Sequence, residues 1–220
     1  MTAPSRRAQN RQDRTRNILD AALSVFADVG YAAASMDLIA AQAGLSKPTL
    51  YHYFAGKEAL FKAVMAARRD EMLLSFDSDP RDALVAQLLD FAWGYARVVM
   101  RPDVLSLARL IIAEAQRFPS IGRAYQANGP DIVLRRLMAF MQHQRELGRL
   151  QFEDAELVAQ DFWGLILSAP RNHALHVPDA DITEAQLARY IHNGLRTFLR
   201  AYATNPAQNL AQLSKQIAPV

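Results

Sequence analysis

One short segment near the N-terminus gathers side chains that bind phosphates and nucleotide bases. If it is helical, an advance of about 100° per residue puts Pro48, Thr49 and His52 on one face, with Tyr51 and Tyr53 at its edges. A hydroxyl, an imidazole and two phenols can donate hydrogen bonds to phosphates and base edges, and their apolar parts can contact thymine methyl groups. The chemistry that this pattern favours is therefore non-covalent recognition of nucleic acid.

The elements that position these side chains can be predicted from the same stretch. Leu50 and Phe54 are four residues apart and are expected to face inward. Ser46 predicts a helix N-cap, and Pro48 suits the first helical turn. Upstream, a shorter helix opened by Ser35 should end before Gly44. Two short helices joined by a tight turn form the outline of a helix-turn-helix.

The sequence of this outline resembles a known family. GLSKPTLYHYFAGKEAL, together with the upstream AALSVFADVGYAAASMDLIAAQAG, is similar to the signature of the TetR/AcrR transcriptional regulators. The resemblance covers about residues 14–65 and joins several spaced motifs. It departs from the family at Pro48, where glycine is frequent, and at Ala55-Gly56, which replaces a more polar pair.

The resemblance implies an all-α fold. We expect an N-terminal three-helix helix-turn-helix DNA-binding domain joined to a C-terminal helical domain for ligand binding and dimerisation. The expected boundaries are a DNA-binding domain at 1–56, a connecting helix at 57–74, an effector-binding and dimerisation domain at 80–203, and a tail at 204–220. The polar, turn-forming SFDSDP at residues 75–80 favours that division.

The resemblance also implies which residues contact DNA. Ser35 and Met36, which open the second helix, would bind the flanking DNA backbone, and Lys57 at the N-terminus of the fourth helix would hold a phosphate. The full expected set is Arg16, Ser35, Met36, Ser46, Lys47, Pro48, Thr49, Tyr51, His52, Tyr53 and Lys57.

Positive charge is concentrated at the N-terminus although the net charge of the chain is only +3. The first sixteen residues contain Arg6, Arg7, Arg11, Arg14 and Arg16 against a single aspartate, Asp13. Such a cluster indicates a polyanionic partner, and a disordered solubilising tail is the alternative. By the resemblance, the arginines at 11, 14 and 16 would add contacts to the DNA backbone or minor groove.

The remainder of the chain also has helical periodicity, with no alternating strand pattern. The first helix should run from about Asp13 to Val29 and end at Gly30. Later helices are predicted at about 57–74, 81–100, 103–118, 120–127, 130–147, 154–170 and 183–203. Residues 204–220 form either a frayed tail or a short extra helix.

By analogy with the family, helices 154–170 and 183–203 would pair with their symmetry mates in a homodimer. Both carry broad apolar faces, and the alternative is that they are core helices of a monomer. A two-fold dimer would place two recognition helices roughly 34–36 Å apart, which implies a palindromic operator on double-stranded DNA.

The resemblance further implies that the C-terminal domain binds a small, apolar or amphipathic effector, which releases a repressor from its operator. Large or polar side chains on its helices are the candidate pocket, since methionine and aromatic residues suit varied apolar ligands. These are Trp93, Arg97, Met100, Phe118, Tyr125, Met138, Met141 and Trp163. Ordinary core packing is the alternative for each of them.

Other classes of protein find less support. The chain has no cysteine, which excludes disulfides and thiolate sites. An enzyme could draw on Glu156, Asp161, His173 and His176, but HExxH, GxSxG and phosphate-binding glycine motifs are missing. A protein that binds the chromosome without sequence specificity is a further alternative to a regulator. With no stretch of about 18 apolar residues, we expect a cytoplasmic protein without membrane contact, enzymatic activity, cofactor or metal.

Overall fold

The computed structural model describes residues 6–73 and 82–216, and most of these residues lie in α-helices. The helices are α1 (Arg6–Ala33), α2 (Met36–Gln42), α3 (Lys47–Tyr53), α4 (Lys57–Leu73), α5 (Leu84–Val99), α6 (Pro102–Glu114), α7 (Pro119–Asn128), α8 (Pro130–Glu146), α9 (Ala155–His176), α10 (Glu184–Tyr202) and α11 (Pro206–Gln216). Within these ranges there is no strand, only an isolated bridge between Leu150 and Ala203. The all-α class is confirmed.

These helices form two compact units. The first contains α1–α3, α4 as far as Arg69, and α6 and α7; the second contains the rest of α4, α5 and α8–α11. The expected division differs at residues 102–129, which group with the N-terminal helices instead of with the remainder of 80–203. Residues 75–80, expected to be the boundary, lie outside the described residues.

The first unit is built around an aromatic and aliphatic core. Phe26, Ile39, Leu50 and Phe61 are fully buried, so each of α1–α4 contributes to it. Gly30 has a φ of 80°, which breaks the helical geometry of α1 before its last residues. A positive φ is strained for a residue with a Cβ. Because glycine has none, the chain can bend at Gly30.

The first helix begins earlier than its apolar periodicity predicts. The expected start was Asp13, whereas α1 begins at Arg6. The apolar stripe marks only the part of the helix that is buried, from Ile18 onward. The polar turns before it have no apolar face, so hydrophobic spacing gave no signal for them.

A buried arginine ties three helices of the first unit together. Arg68 of α4 is 9% exposed and donates to the Asp20 carboxylate of α1 at 2.7 Å. Its guanidinium also lies 3.8 Å from the Asp103 carboxylate of α6. A charge buried to this degree needs its carboxylate partners, which fixes the relative positions of α1, α4 and α6.

In the second unit, α9 and α10 pack face to face. Phe162 and Phe198 meet edge-on at 5.1 Å between ring centroids, and both side chains are fully buried. Gly194 lets the backbones approach: a Cβ there would lie 2.4 Å from the Leu165 carbonyl oxygen. This close pairing makes α9 and α10 one two-helix layer.

One helix of the second unit differs from the sequence expectation, and another decides between two alternatives. The helix expected to end at residue 170 continues through Pro170 to His176 as α9. Proline removes one backbone donor, but Pro170 and Ala174 are buried, and their packing holds the last turns in place. The C-terminal segment, left open between tail and helix, forms α11, with Leu213 buried.

Candidate nucleic-acid interface

The helix α3 exposes polar side chains above a buried base. Leu50 is completely buried, and Phe54 at the C-cap is half-buried against the core of the first unit. On the other side Tyr51 is 46% exposed and His52 is also exposed, with Tyr53 half-buried beside it. The helix runs from Lys47 to Tyr53, and the N-cap predicted at Ser46 is confirmed.

The start of α3 is held by a side-chain cap. The Ser46 Oγ atom accepts a hydrogen bond from the Thr49 amide at 3.3 Å. The two hydroxyl groups also share a hydrogen bond at 2.7 Å. Both hydroxyl groups therefore have an internal partner, and the cap fixes their positions relative to the helix axis.

Lys47 forms an ion pair with the preceding helix. Its Nζ atom lies 2.9 Å from an Asp37 carboxylate oxygen, and the two side chains are 55% and 63% exposed. The hydrogen bond and charge of Asp37 raise the pKa of Lys47 above its ordinary value. Water screens so exposed a pair, so a DNA phosphate can compete for the ammonium group.

The N-terminus of α2 offers fewer groups than expected. The Ser35 Oγ atom accepts from the Leu38 amide at 3.2 Å as the N-cap. The Met36 side chain is buried in the core at 7% exposure. The Met36 side chain therefore does not lie on the exposed surface of α2.

Lys57 bonds to the protein's own backbone. Its Nζ atom donates to the carbonyl oxygens of Tyr31 at 2.6 Å, Ala34 at 2.9 Å and Ala32 at 3.3 Å. The ammonium group also lies 4.5 Å from the centre of the Tyr31 ring. Burial lowers the pKa of Lys57, and the charge of Glu114 opposes that shift. An ammonium has three N–H donors, and all three have acceptors here.

The N-terminal part of α1 forms one wall of a groove beside α3. Arg11 and Arg14, on helical turns of α1, line a groove of about 600 Å³ with His52 and Tyr53 of α3. Arg16, also expected to contact DNA, is exposed on the same helix. Asn10, Asp13 and Asn17 also line the groove. Together with Arg14 they are spaced by three and four residues, which puts them on one face of α1, and this spacing is the signal that the sequence offers.

The eight residues of the predicted ligand pocket divide between the two units. Phe118 and Tyr125 pack against the core of the first unit, where the Phe118 ring meets the Tyr31 ring at 5.9 Å. The other six are Trp93, Arg97, Met100, Met138, Met141 and Trp163, all in the second unit.

Those six residues have different surroundings within the second unit. Met141 is fully buried in the core, whereas Met100 and Met138 are only partly buried against it. The exposed Arg97 lies over the Trp93 ring at 5.8 Å. Trp163 lines a surface groove together with Tyr95, which the sequence did not single out.

Comparison with known proteins decides the family. A model described as "AefR-like transcriptional repressor, C-terminal domain" matches residues 86–204. A second, described as "Bacterial regulatory proteins, tetR family", matches residues 18–64. The chain belongs to the TetR family. It is therefore a DNA-binding transcriptional regulator and not an enzyme, and regulators of this family dimerise.

Individual TetR-family proteins are similar over different lengths. A TetR-family regulator from Mesorhizobium loti MAFF303099 has 30% identity and a TM-score of 0.74, covering 88% of this chain and 98% of its own. The flavonoid-responsive regulator FrrA has 31% identity and a TM-score of 0.70 over the same shares. The transcriptional activator FasR from Mycolicibacterium smegmatis is 46% identical over 63 residues, which is 29% of each chain.

The residues considered for an enzyme do not converge in this TetR-family chain. Glu156, Asp161, His173 and His176 all lie on α9. Asp161 accepts a hydrogen bond from the Tyr202 hydroxyl. Across residues 6–73 and 82–216, no three histidine or carboxylate side chains form a metal site. No helix in those ranges combines the length and apolarity that a membrane crossing requires.

Proposed function

We propose that this TetR-family regulator is a homodimeric repressor that binds a palindromic operator and is released from it by a small-molecule effector. The observation that carries the DNA-binding part is the polar outer face of α3 above the buried Leu50. Such a face suits a recognition helix in the major groove, where base edges are distinguishable. The protein acts in the cytoplasm, where its operator is accessible.

The DNA contacts divide by chemistry. Thr49, Tyr51, His52 and Tyr53 face the bases or their flanking phosphates, with Pro48 contributing apolar contact. Ser35, Ser46, Lys47 and the backbone N–H of Met36 bind phosphates, as does Arg16 with the other α1 arginines. Lys57 is left out, because its three donors are bonded to carbonyl groups of the chain.

The proposed dimer interface is the outer surface of α9 and α10. Leu157 and Leu165 of α9 are 59% and 37% exposed, and Tyr190 of α10 is 43% exposed. Apolar side chains of this size on adjacent helices favour burial against a second copy. The domain limits of 1–56, 57–74, 80–203 and 204–220 remain part of the proposal, with residues 102–129 structurally grouped with the first.

Similarity to known proteins supports repression and a response to an effector. The family model for residues 86–204 is described as that of a repressor. FasR is described as an activator, so likeness in the DNA-binding domain alone does not decide the sign. FrrA, similar over 88% of this chain, is described as flavonoid-responsive. An effector acts by binding more tightly to the conformation that does not bind DNA.

The test is an in vitro selection of random duplexes with the full-length protein. We expect an inverted repeat whose half-sites are centred about one helical turn apart. Affinity for the selected site should exceed that for random DNA by roughly 10³ at fixed salt. Enrichment of a single asymmetric site would contradict the dimeric reading, and no enrichment would favour a non-specific chromosome-binding protein.

A substitution at His52 tests whether this residue contacts a base. His52→Ala should lose roughly tenfold or more in affinity for the selected site, with little change on random duplexes. Arg135→Ala, which removes an exposed side chain on α8, is the matched control and should bind both as the wild type does. Equal losses on selected and random DNA would place His52 on a phosphate instead of a base.

A further inference from the structure

A groove on the second unit has the composition of a ligand site. It has a volume of about 650 Å³ and lies along α9, with Tyr95 of α5 contributing to its wall. Small-molecule sites generally have volumes of about 300–1,000 Å³. Leu167, Trp163 and Leu175 give it an apolar surface, and Gln160, Ser168 and Asn172 add polar groups.

Arg171 lines the same groove and has a donor without an acceptor. Its Nε atom is buried, and within the described residues no hydrogen-bond partner reaches it. None of the described residues that line the groove is acidic. A buried guanidinium donor without a partner costs free energy that an incoming acceptor recovers. A carboxylate suits it, because two oxygens can accept from adjacent guanidinium N–H groups.

The aromatic wall indicates what the rest of the ligand is made of. Trp163 and Tyr95 meet edge-on at 5.2 Å between ring centroids, at an angle of 89°. The indole Nε1 donates to the Tyr95 hydroxyl, so the one polar atom of Trp163 is already bonded. The tryptophan is therefore left with apolar ring surface for a ligand, which favours an apolar or aromatic body.

The groove and the proposed dimer surface are neighbours on α9, where Gly164 and Ser168 of the groove are one and three residues away from Leu165. The exposed apolar residues Leu157, Leu165 and Tyr190 are not among those that line the groove. The occupant that best matches a cation inside an apolar wall is a small amphipathic anion.

We propose that this groove binds an effector with an aromatic or apolar body and a carboxylate, and that Arg171 binds the carboxylate. The inference rests on the proposed effector response and assigns it a site and a ligand class. Arg171 then selects the charge of the ligand, and Trp163 with Tyr95 selects its body.

The experiment measures binding of 2-naphthoate and its uncharged analogue 2-naphthamide to the full-length protein without DNA. The chain has two tryptophans, so a Trp93→Phe background leaves Trp163 as the sole indole reporter. We expect saturable quenching by naphthoate and about tenfold weaker binding of the amide. Arg171→Gln should weaken naphthoate binding about tenfold and leave the amide unchanged. Arg135→Gln, on α8, should change neither.

Three outcomes would overturn the inference. The first is that naphthoate binds Arg171→Gln as tightly as the parent, which would show that the guanidinium does not select the charge of the ligand. The second is that neither probe quenches Trp163 fluorescence up to the solubility limit of the probes. The third is that Arg171→Gln converts the dimer to a monomer in a sedimentation experiment, which would show that the partner subunit occupies the groove. Charge-selective binding at Trp163 without any selected operator would instead contradict the proposed function and leave the site intact.

Discussion

The N-termini of α3 and α4 each carry a lysine, and the two lysines have opposite surroundings. Lys47 is 55% exposed and forms an ion pair with Asp37 at 2.9 Å. The ammonium group of Lys57 bonds to the carbonyl oxygens of Tyr31, Ala32 and Ala34 at the end of α1. The first lysine keeps its charge at the surface, and the second uses it to bind the backbone.

The difference shows that position in a motif does not decide what a cation binds. Both lysines were expected to hold phosphates. At α4 the carbonyl groups that follow the bend at Gly30 supply acceptors that the sequence does not reveal. We therefore infer that Lys57 acts on DNA binding indirectly, by holding the end of α1 against the start of α4.

The largest expected effect tests that inference. Lys57→Met removes three hydrogen bonds from a charged donor while keeping the apolar stem. Hydrogen bonds to charged groups contribute about 1.5–3 kcal/mol each where buried, and water replaces part of these, so we expect a loss of about 2 kcal/mol. At fixed protein concentration, thermal denaturation should show Tm lower by about 4–8 °C.

The matched control for Lys57→Met is Lys62→Met. Lys62 lies on the same helix and pairs with Glu58 at 2.8 Å, with 49% of its side chain exposed. An exposed pair contributes little, so Tm should hardly change. If Lys57→Met kept the parent Tm and instead lowered the salt dependence of DNA binding, Lys57 would be a phosphate ligand and the comparison would fail.

The helix caps and the turn near these lysines could be predicted from the sequence because they depend on neighbouring residues. Ser35 and Ser46 cap α2 and α3 as expected, and Gly44 has the positive φ that its turn requires. The bounds of α3 followed from the cap, the proline in its first turn and the apolar pair Leu50 and Phe54. Short-range chemistry fixed both the helix and its exposed face.

Features that depend on distant residues were not readable in the same way. The sequence predicts an apolar environment for Phe118 but does not show that this environment is the Tyr31 ring of the first unit. Proline ordinarily ends a helix, and only the burial of Pro170 and Ala174 explains why α9 continues. The partners of Lys57 and the burial of the Arg171 Nε atom are likewise set by tertiary packing, which no spacing rule reports.

A smaller effect is expected at Lys47. Lys47→Gln removes an exposed charge whose partner is equally exposed, so Tm should match the parent. If the ammonium binds a phosphate in the complex, the slope of log affinity against log salt should become less negative by about 0.9. The loss should be uniform across selected and random duplexes, because phosphates carry no sequence information.

The control for Lys47→Gln is Lys62→Gln, which removes an equally exposed lysine from α4. It should leave both Tm and the salt slope unchanged. A fall in Tm for Lys47→Gln, with the slope preserved, would show that this lysine is structural too. The two helix starts would then be alike, and the contrast between them would disappear.

The smallest effect is expected from the partner of Lys47. In the free protein the Asp37 carboxylate competes with phosphate for the ammonium group, so Asp37→Asn should strengthen DNA binding a few-fold at low salt. The gain should vanish as salt rises. Asp28→Asn, which removes an exposed carboxylate that accepts from Ser24, is the control. A double-mutant cycle decides the cause: if Asp37→Asn gains as much when Lys47 is already glutamine, the carboxylate repels DNA directly and does not act by holding Lys47.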